Sequence, residues 1–335
     1  MTQTVQAYAA MEAGQTLVPY EYQLPELGAH QVDIEVLHCG ICHSDLSMLN
    51  NDWGFSAYPL VAGHEVIGRI KAKGDHVTNL ELGDTVGLGW QAGYCMACSE
   101  CMGGHHNTCP SVEMTIVGRH GGFASHVRAE APAVLKLPEG LDAAKAGPLL
   151  CGGITVFAPI LEHVSPTDEV AVVGIGGLGH LAIQFLNKWG CEVTAVTRSS
   201  DKASQAQALG AHHVITPQQL ASGEAGLGRF KMVLSTVNVA MDWAGILETL
   251  APRGRIHSVG AVDAPLELPI FPLIMGERSV GASPVGSPDA ITTMLQFAAR
   301  HGIAAQTEHF PMASVNEALA HLKSGKARYR VVLDA

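Results

Sequence analysis

An apolar run, Glu169 to Gly174 (EVAVVG), passes directly into Gly174-Ile175-Gly176-Gly177-Leu178-Gly179. A stretch follows whose Leu178, Leu181, Ala182, Phe185 and Trp189 share one helical face. Gly-x-Gly-x-x-Gly placed between a strand and a helix lets the backbone turn sharply and approach a pyrophosphate, while unpaired helix N–H groups face its charge. The motif is weak alone, and a purely structural glycine turn is the plain alternative. Its position after a strand and before a helix favours a dinucleotide site over residues Gly174 to Gly179. Further apolar runs at Cys191–Thr197, His213–Thr216, Met232–Val237, Ile256–Gly260 and Ser279–Ala282 are spaced widely enough for crossover helices. That alternation predicts an α/β unit with a doubly wound parallel sheet.

The first third reads differently. Short segments such as Val32–Leu37, Val66–Ala72 and Thr85–Leu88 are broken by Gly, Pro, Asn and Asp, which predicts a mostly antiparallel, loop-rich domain. Beyond Pro284 the expected elements are a helix over Asp289–Arg300 and a strand over Arg328–Leu333, read as a tail returning to the first domain. At 335 residues the chain suits two domains. They are expected at 1–150, completed by 285–335, and at 151–284.

The net charge of −11 argues against a nucleic-acid partner, since phosphate binding needs a basic face. The N-terminal residues lack a charged region followed by an apolar core, so no secretory signal is expected. The most apolar stretch, Val170–Leu186, is interrupted by His180, Gln184 and several glycines, which suits a buried strand, turn and helix rather than a membrane span. A cytoplasmic protein is the expectation.

Four of the eight cysteines stand as Cys95-x2-Cys98-x2-Cys101-x7-Cys109. Four thiolates on one short lobe can close a tetrahedron around Zn2+ and leave no open position, so this site is expected to be structural. An iron–sulfur cluster is the rival, which spacing does not exclude. His105 and His106 are expected as solvated loop residues. Three further pieces point to a second, open site: Cys42 in Gly40-Ile41-Cys42-His43-Ser44-Asp45, His64 and Glu65 in Gly63-His64-Glu65, and Cys151 in Cys151-Gly152-Gly153. Each alone is more often a buried cysteine or a hydrogen-bonded core histidine.

Taken together and in this order, GICHSD, Asn51-Asp52-Trp53-Gly54-Phe55, GHE, the four-cysteine lobe, CGGIT (Cys151–Thr155), the glycine turn and Ser283-Pro284-Val285-Gly286-Ser287 resemble the zinc-dependent medium-chain dehydrogenases. Within them the chain is similar to the cinnamyl alcohol dehydrogenase-like branch, over nearly its whole length. The resemblance implies a GroES-like, mostly β catalytic domain beside a Rossmann cofactor domain. It also implies two zinc ions per subunit, the catalytic one held by Cys42, His64 and Cys151 with Glu65 as alternating ligand or near neighbour. Cys2His is the known set for alcohol dehydrogenases, and it leaves one position for water or substrate oxygen. Asp45 then orients His64, with a turn or helix cap as its bland alternative. Ser44 implies a hydroxyl that passes a proton from the alcohol toward the cofactor ribose, unless it merely caps the next helix. His43 matches a pyrophosphate-facing position but could equally be a loop residue. Thr155, Thr236, Gly260, Ser283 and Val285 are implied cofactor contacts.

Thr197 ends the next strand, where NAD enzymes usually carry an acid for the ribose 2′-hydroxyl. With Arg198, Ser199, Ser200 and Lys202 nearby as donors, NADP(H) is expected over NAD(H). Asp201 would reach the ribose if the turn shifted by one residue, and Arg198 and Lys202 as ordinary solvated charges remain the alternative. One departure from the family pattern is Ser47, where many relatives carry a histidine that ends the proton relay; serine does not titrate near neutral pH. Trp53 and Phe55 are candidate walls of an apolar pocket. The expected activity is hydride exchange between NADP(H) and a primary alcohol or aldehyde, in a homodimer or homotetramer. A polyol or adduct-type zinc dehydrogenase, or a non-catalytic NADPH-binding protein, are the alternatives.

Overall fold

The computed structural model describes residues 3–262 and 264–335, with the side chain of Ser200 outside that description. The chain forms two units, Met1–Cys151 with Gly286–Ala335, and Gly152–Val285.

The first unit is built on a sheet whose strands lie in the order Thr307–Pro311, Arg330–Asp334, Gln31–Ile41, Glu65–Lys73, Thr85–Leu88 and Val134–Lys136. His126–Glu130 also pairs with Gln31–Ile41. Val32, Ile34, Ile41, Val66, Ile70, Val86 and Leu88 from these strands are almost wholly buried and form its core with Phe123. A cross-strand pair, Asp33 opposite Arg128, is buried there, and the Arg128 guanidinium grips both carboxylate oxygens at 2.6 and 2.9 Å. Such a two-pronged bond fixes strand register as well as neutralising both charges.

The sheet is antiparallel except at one edge. Thr307–Pro311 runs parallel to Arg330–Asp334, and the helix Val315–Lys323 between them supplies the crossover that a parallel pair requires. Sequence patterning missed Thr307–Pro311. The last strand lies inside the sheet, with Val331 opposite Ile41 and Asp334 opposite His38.

The second unit is a six-stranded parallel sheet in the order His213–Ile215, Glu192–Val196, Glu169–Val173, Phe230–Ser235, Leu250–Ser258 and Ser279–Ala282. Numbered along the chain this is 3-2-1-4-5-6, the doubly wound order whose reversal opens a crevice at the carboxyl ends of the strands. Leu250–Ser258 starts six residues before the expected run, because Pro252 and Gly254 mask a strand whose register shifts between Phe230 and Met232 of its neighbour. The helix after the glycine turn, Gly179–Trp189, buries His180, Ile183 and Leu186 as well as the expected Leu181, Ala182 and Phe185. It stops at Gly190 in a left-handed conformation.

Candidate catalytic and cofactor sites

Cys42 ends the Gln31–Ile41 strand and caps the helix His43–Asn50, in extended conformation. Its backbone N–H donates to Asp45 Oδ2 at 2.8 Å. The other oxygen of Asp45 accepts from Gly63 N at 2.9 Å and meets His64 Nδ1 at 2.8 Å. The two readings of Asp45 are therefore one arrangement, since the same carboxylate that caps the helix orients the imidazole. With Nδ1 on Asp45, His64 Nε2 points to Cys151 Sγ at 3.3 Å, and Cys151 Sγ lies 3.9 Å from Cys42 Sγ. Ser44 is the second residue of the helix rather than its cap, with its hydroxyl 3.8 Å from Cys42 Sγ.

Ligand atoms of Cys42, His64, Glu65 and Cys151 all fall within 4.8 Å of one another, and all four residues are buried. Burial pushes the Glu65 carboxyl up, opposed by Arg330, whose guanidinium bonds Glu65 Oε1. Burial alone would lower His64, but the Asp45 carboxylate and Cys42 outweigh it and raise it. The Cys42 thiol is drawn well below its usual range, first by a hydrogen bond from Cys151 and further by His64 and Arg330. Glu65 Oε2 is buried with no hydrogen-bond partner among the described residues. A divalent ion fits this set: two thiols and an imidazole supply soft and borderline donors, and the orphaned oxygen gains a partner. Arg330 was not singled out in the sequence. It lies 265 residues from Glu65, and only its position in a buried strand reveals it.

An aromatic file leads away from His64. Trp90 packs edge-on against the His64 ring at 4.9 Å, Trp53 lies edge-on to Trp90 at 6.1 Å, and Phe55 stacks on Trp53 at 5.8 Å. Trp53 and Phe55 are 38% and 49% exposed, so the file runs from the buried donors to solvent. Trp90 carried no sequence signal, standing alone beside Gly89.

In the cysteine lobe, Sγ separations are 3.9 Å for Cys95–Cys101, 3.9 Å for Cys98–Cys109 and 3.5 Å for Cys95–Cys109. A single tetrahedral ion with metal–sulfur bonds of about 2.3 Å sets sulfurs about 3.8 Å apart, whereas a cluster would have to fit its inorganic core between them. The fit is to one ion. Backbone amides of Ala97 and Cys98 aimed at Cys95 Sγ draw that thiol down to about 6, which favours the thiolate that metal binding needs. His105 is exposed, as expected. His106 is not solvated: it is half-buried edge-on against Tyr94 at 5.3 Å.

Within the second unit the glycines divide by role. A Cβ on Gly179 would stand 1.8 Å from Gly174 O, so that glycine permits helix and turn to touch. A Cβ on Gly176 would meet nothing within 4 Å, so its backbone faces open space where an anion can approach. Leu178 caps the helix without a side-chain acceptor, and the amides of His180 and Leu181 turn back to Gly176 O and Leu178 O at 3.1 and 3.0 Å. Ile175 and Gly177 complete the turn.

Beside the turn is a cavity of about 860 Å³ lined by Gly174, Ile175, Thr197, Arg198, Ser199 and Lys202, among others. Arg198 is exposed and makes no ion pair among the described residues. Thr197 and Ser199 also have local work, accepting from Ser199 N and Lys202 N at 3.2 and 3.4 Å. The remaining expected contacts are more structural. Thr236 donates its hydroxyl to Val173 O and Gly174 O, Ser283 bonds His257 Nε2 at 2.9 Å, and a Cβ on Gly260 would clash with Val237 O at 2.1 Å. Thr155 lies in the helix Gly152–His163, and Val285 takes a positive φ of 37°. His43 is exposed.

Residues 28–139 match the family described as alcohol dehydrogenase GroES-like domain, and residues 177–300 match zinc-binding dehydrogenase. The chain is 57% identical over 333 residues to aldehyde reductase AdhA of Synechocystis sp., covering 98% of each. Among solved structures it is similar to a cinnamyl alcohol dehydrogenase of Sorghum bicolor, with TM-score 0.93 and 36% identity over 99% of this chain and 98% of that one. It is also similar to a CAD of Helicobacter pylori complexed with NADP(H), with TM-score 0.90 and 28% identity over 100% and 99%.

Proposed function

The chain belongs to the zinc-dependent medium-chain alcohol dehydrogenases, in their cinnamyl alcohol dehydrogenase-like branch, and is an alcohol and aldehyde oxidoreductase. From that premise we propose that it exchanges hydride between NADP(H), in preference to NAD(H), and an aldehyde or primary alcohol with an apolar body. The observation that carries this reading is the buried set Cys42, His64, Glu65 and Cys151 with its orphaned carboxylate oxygen, opening through Trp90, Trp53 and Phe55 to solvent. When bound, zinc supplies a Lewis acid for the carbonyl oxygen and NADPH supplies the hydride.

The chain's own residues do the rest. Asp45 fixes the His64 tautomer so that Nε2 faces inward. Arg330 neutralises Glu65 and holds one of its oxygens aside. Trp90, Trp53 and Phe55 line the approach, exclude water and favour an apolar substrate over a polyol. The Ser44 hydroxyl passes a proton to the carbonyl oxygen as it is reduced and takes one in turn from the cofactor ribose, which water re-protonates because Ser47, one turn further on, cannot end the relay as a titrating group. We assign the second zinc to Cys95, Cys98, Cys101 and Cys109.

The NADP(H) preference rests on Thr197, which puts no carboxylate at the strand end, and on the Arg198, Ser199 and Lys202 wall of the cavity. We also assign the unit Met1–Cys151 with Gly286–Ala335 as the catalytic domain, which moves Cys151 into it by one residue from the expected boundary, and Gly152–Val285 as the dinucleotide-binding domain. A homodimer is supported by the exposed Ile270, Phe271, Ile274 and Met275 on one short helix, 63–70% accessible, followed by the edge strand Ser279–Ala282. The thiol-rich donor sets require a reducing compartment, which supports a cytoplasmic location.

The test is absorbance at 340 nm with a panel of aliphatic aldehydes, aromatic aldehydes and D-mannitol, run with each cofactor, with and without a zinc chelator. Chelator-sensitive aldehyde turnover favouring NADPH is expected. Turnover insensitive to complete zinc removal, or faster with NADH, overturns the respective part of the reading.

A further inference from the structure

A second group of ligand-type side chains stands apart from both cysteine sites, and neither hydride transfer nor the cysteine lobe uses it. Asp334 lies directly opposite His38 in the antiparallel pair of Arg330–Asp334 with Gln31–Ile41. On the other side of Asp334, His309 sits two residues before its parallel neighbour Pro311. Directly opposed residues share a sheet face, and positions two apart on one strand share it too, so all three side chains project from one face. The distances agree: His38 Nδ1 is 2.7 Å and His309 Nδ1 3.0 Å from Asp334 Oδ1. The rings stand at 90° to each other. The site is solvent-accessible, with the three side chains 24%, 30% and 42% exposed.

We propose that His38, His309 and Asp334 form a third metal site, a two-histidine, one-carboxylate face for a borderline divalent cation of the Zn2+, Co2+ or Ni2+ class. Three strands deliver three donors to one point, and one donor atom of each lies within 4.8 Å of the others. An octahedral ion with bonds of about 2.1 Å places neighbouring donors about 3.0 Å apart, close to the two nitrogen–oxygen separations found here. Two imidazoles select against Mg2+ and Ca2+, which demand oxygen, and an exposed face leaves the remaining positions to water. A ligating histidine ordinarily anchors its other ring nitrogen, and His309 Nε2 lies 3.0 Å from Thr307 Oγ1. The site clamps the last strand between its two neighbours. That strand also carries Arg330, four residues from Asp334 and on the same face, to Glu65.

The competing account is an ion-pair cluster in which Asp334 merely holds one protonated histidine. Zinc-loaded protein, freed of excess metal, is titrated with NiCl2 by calorimetry, with bound zinc followed by elemental analysis. One Ni2+ per chain is expected to bind without loss of zinc and to raise the melting temperature. Affinity is expected to fall at least about tenfold in His309→Gln and in Asp334→Asn, while aldehyde turnover without nickel stays at the wild-type level. His38→Gln provides a third variant should either of the others fold poorly. No saturable nickel binding, nickel uptake only in exchange for zinc, or equal affinity in the folded variants overturns the proposal. None of these readouts depends on which substrate the enzyme prefers.

Discussion

Asp45 meets His64 Nδ1 at 2.8 Å while taking the backbone amides of Gly63 and Cys42, so one buried carboxylate fixes the direction of an imidazole and of the two loops that carry it and Cys42. An amide in its place keeps the shape but offers only one acceptor to three donors. Asp45→Asn is expected to lower zinc affinity at the catalytic site by about 10–100-fold and to reduce turnover in step. Zinc content by elemental analysis and kcat measured with added zinc check this. Unchanged values for both would mean that the carboxylate serves only as a cap.

Cofactor choice is expected to depend on Arg198. Replacing it by Ala removes an exposed cation from the wall of the cavity beside the glycine turn. A charge-assisted bond to a 2′-phosphate contributes about 1.5–3 kcal/mol, so kcat/KM for NADPH should drop by about 10–100-fold. The value for NADH, which lacks that phosphate, should hold. Equal losses with both cofactors would place Arg198 elsewhere in the mechanism.

Ser47 shares a helix with Ser44, three residues away and therefore on the same face. Ser47→His supplies a group that titrates near neutral pH at that point. Alcohol oxidation is expected to rise at mildly acidic to neutral pH, with a new inflection near pH 6.5. A pH–rate profile superimposable on the wild type would count against a relay through this helix.

The cysteine lobe tests differently, because the zinc proposed there would close a loop rather than touch substrate. Cys101, 5% exposed, is the most useful handle. Cys101→Ser is expected to lose one zinc per chain and several degrees of melting temperature. The remaining zinc should stay, and so should early turnover at low temperature. Loss of both ions together would show that the two sites fold as one.

The parts legible in the sequence are those whose chemistry is local. Four cysteines within fifteen residues and a glycine turn between a strand and a helix carry their meaning in their spacing: the four thiols gather within 4.8 Å of one another, and the turn joins Glu169–Val173 to Gly179–Trp189. Leu250–Ser258 was read short because Pro252 and Gly254 conceal a strand. Arg330 and the His38–Asp334 pair escaped altogether, since sheet pairing joins residues 265 and 296 positions apart that no window along the chain brings together. Trp90 was missed for another reason: a lone aromatic has no pattern until His64 and Trp53 are seen on either side of it.

Acid stability should report on His257. It is buried in the Leu250–Ser258 strand, bonds Ser283 through Nε2, and accepts from Arg255 Nε at 3.1 Å through Nδ1. Burial, then the neighbouring Arg255 charge, push it down to about 4. In the unfolded chain it titrates at about 6.5. As pH falls below 6.5 the unfolded state takes up the proton first, so the stability tied to neutral His257 is fully present above that point. It is lost progressively toward pH 4, and the dependence ends below the folded value. Urea midpoints at pH 7, 6, 5 and 4 should therefore decline less in His257→Gln than in the wild type. Parallel declines would assign the effect to other groups.

The final strand takes an interior place in its sheet, between Thr307–Pro311 and Gln31–Ile41. During synthesis, residues 152–285 are a contiguous stretch that can fold while the ribosome is still working, but the first unit must wait for residues 286–335 to emerge. A prematurely terminated product would thus own a nucleotide fold beside an open sheet edge, with Glu65 deprived of its cation. The His38–Ile41 segment, which pairs with Val331–Asp334 in the finished sheet, would stand open there and mark the product for aggregation or proteolysis.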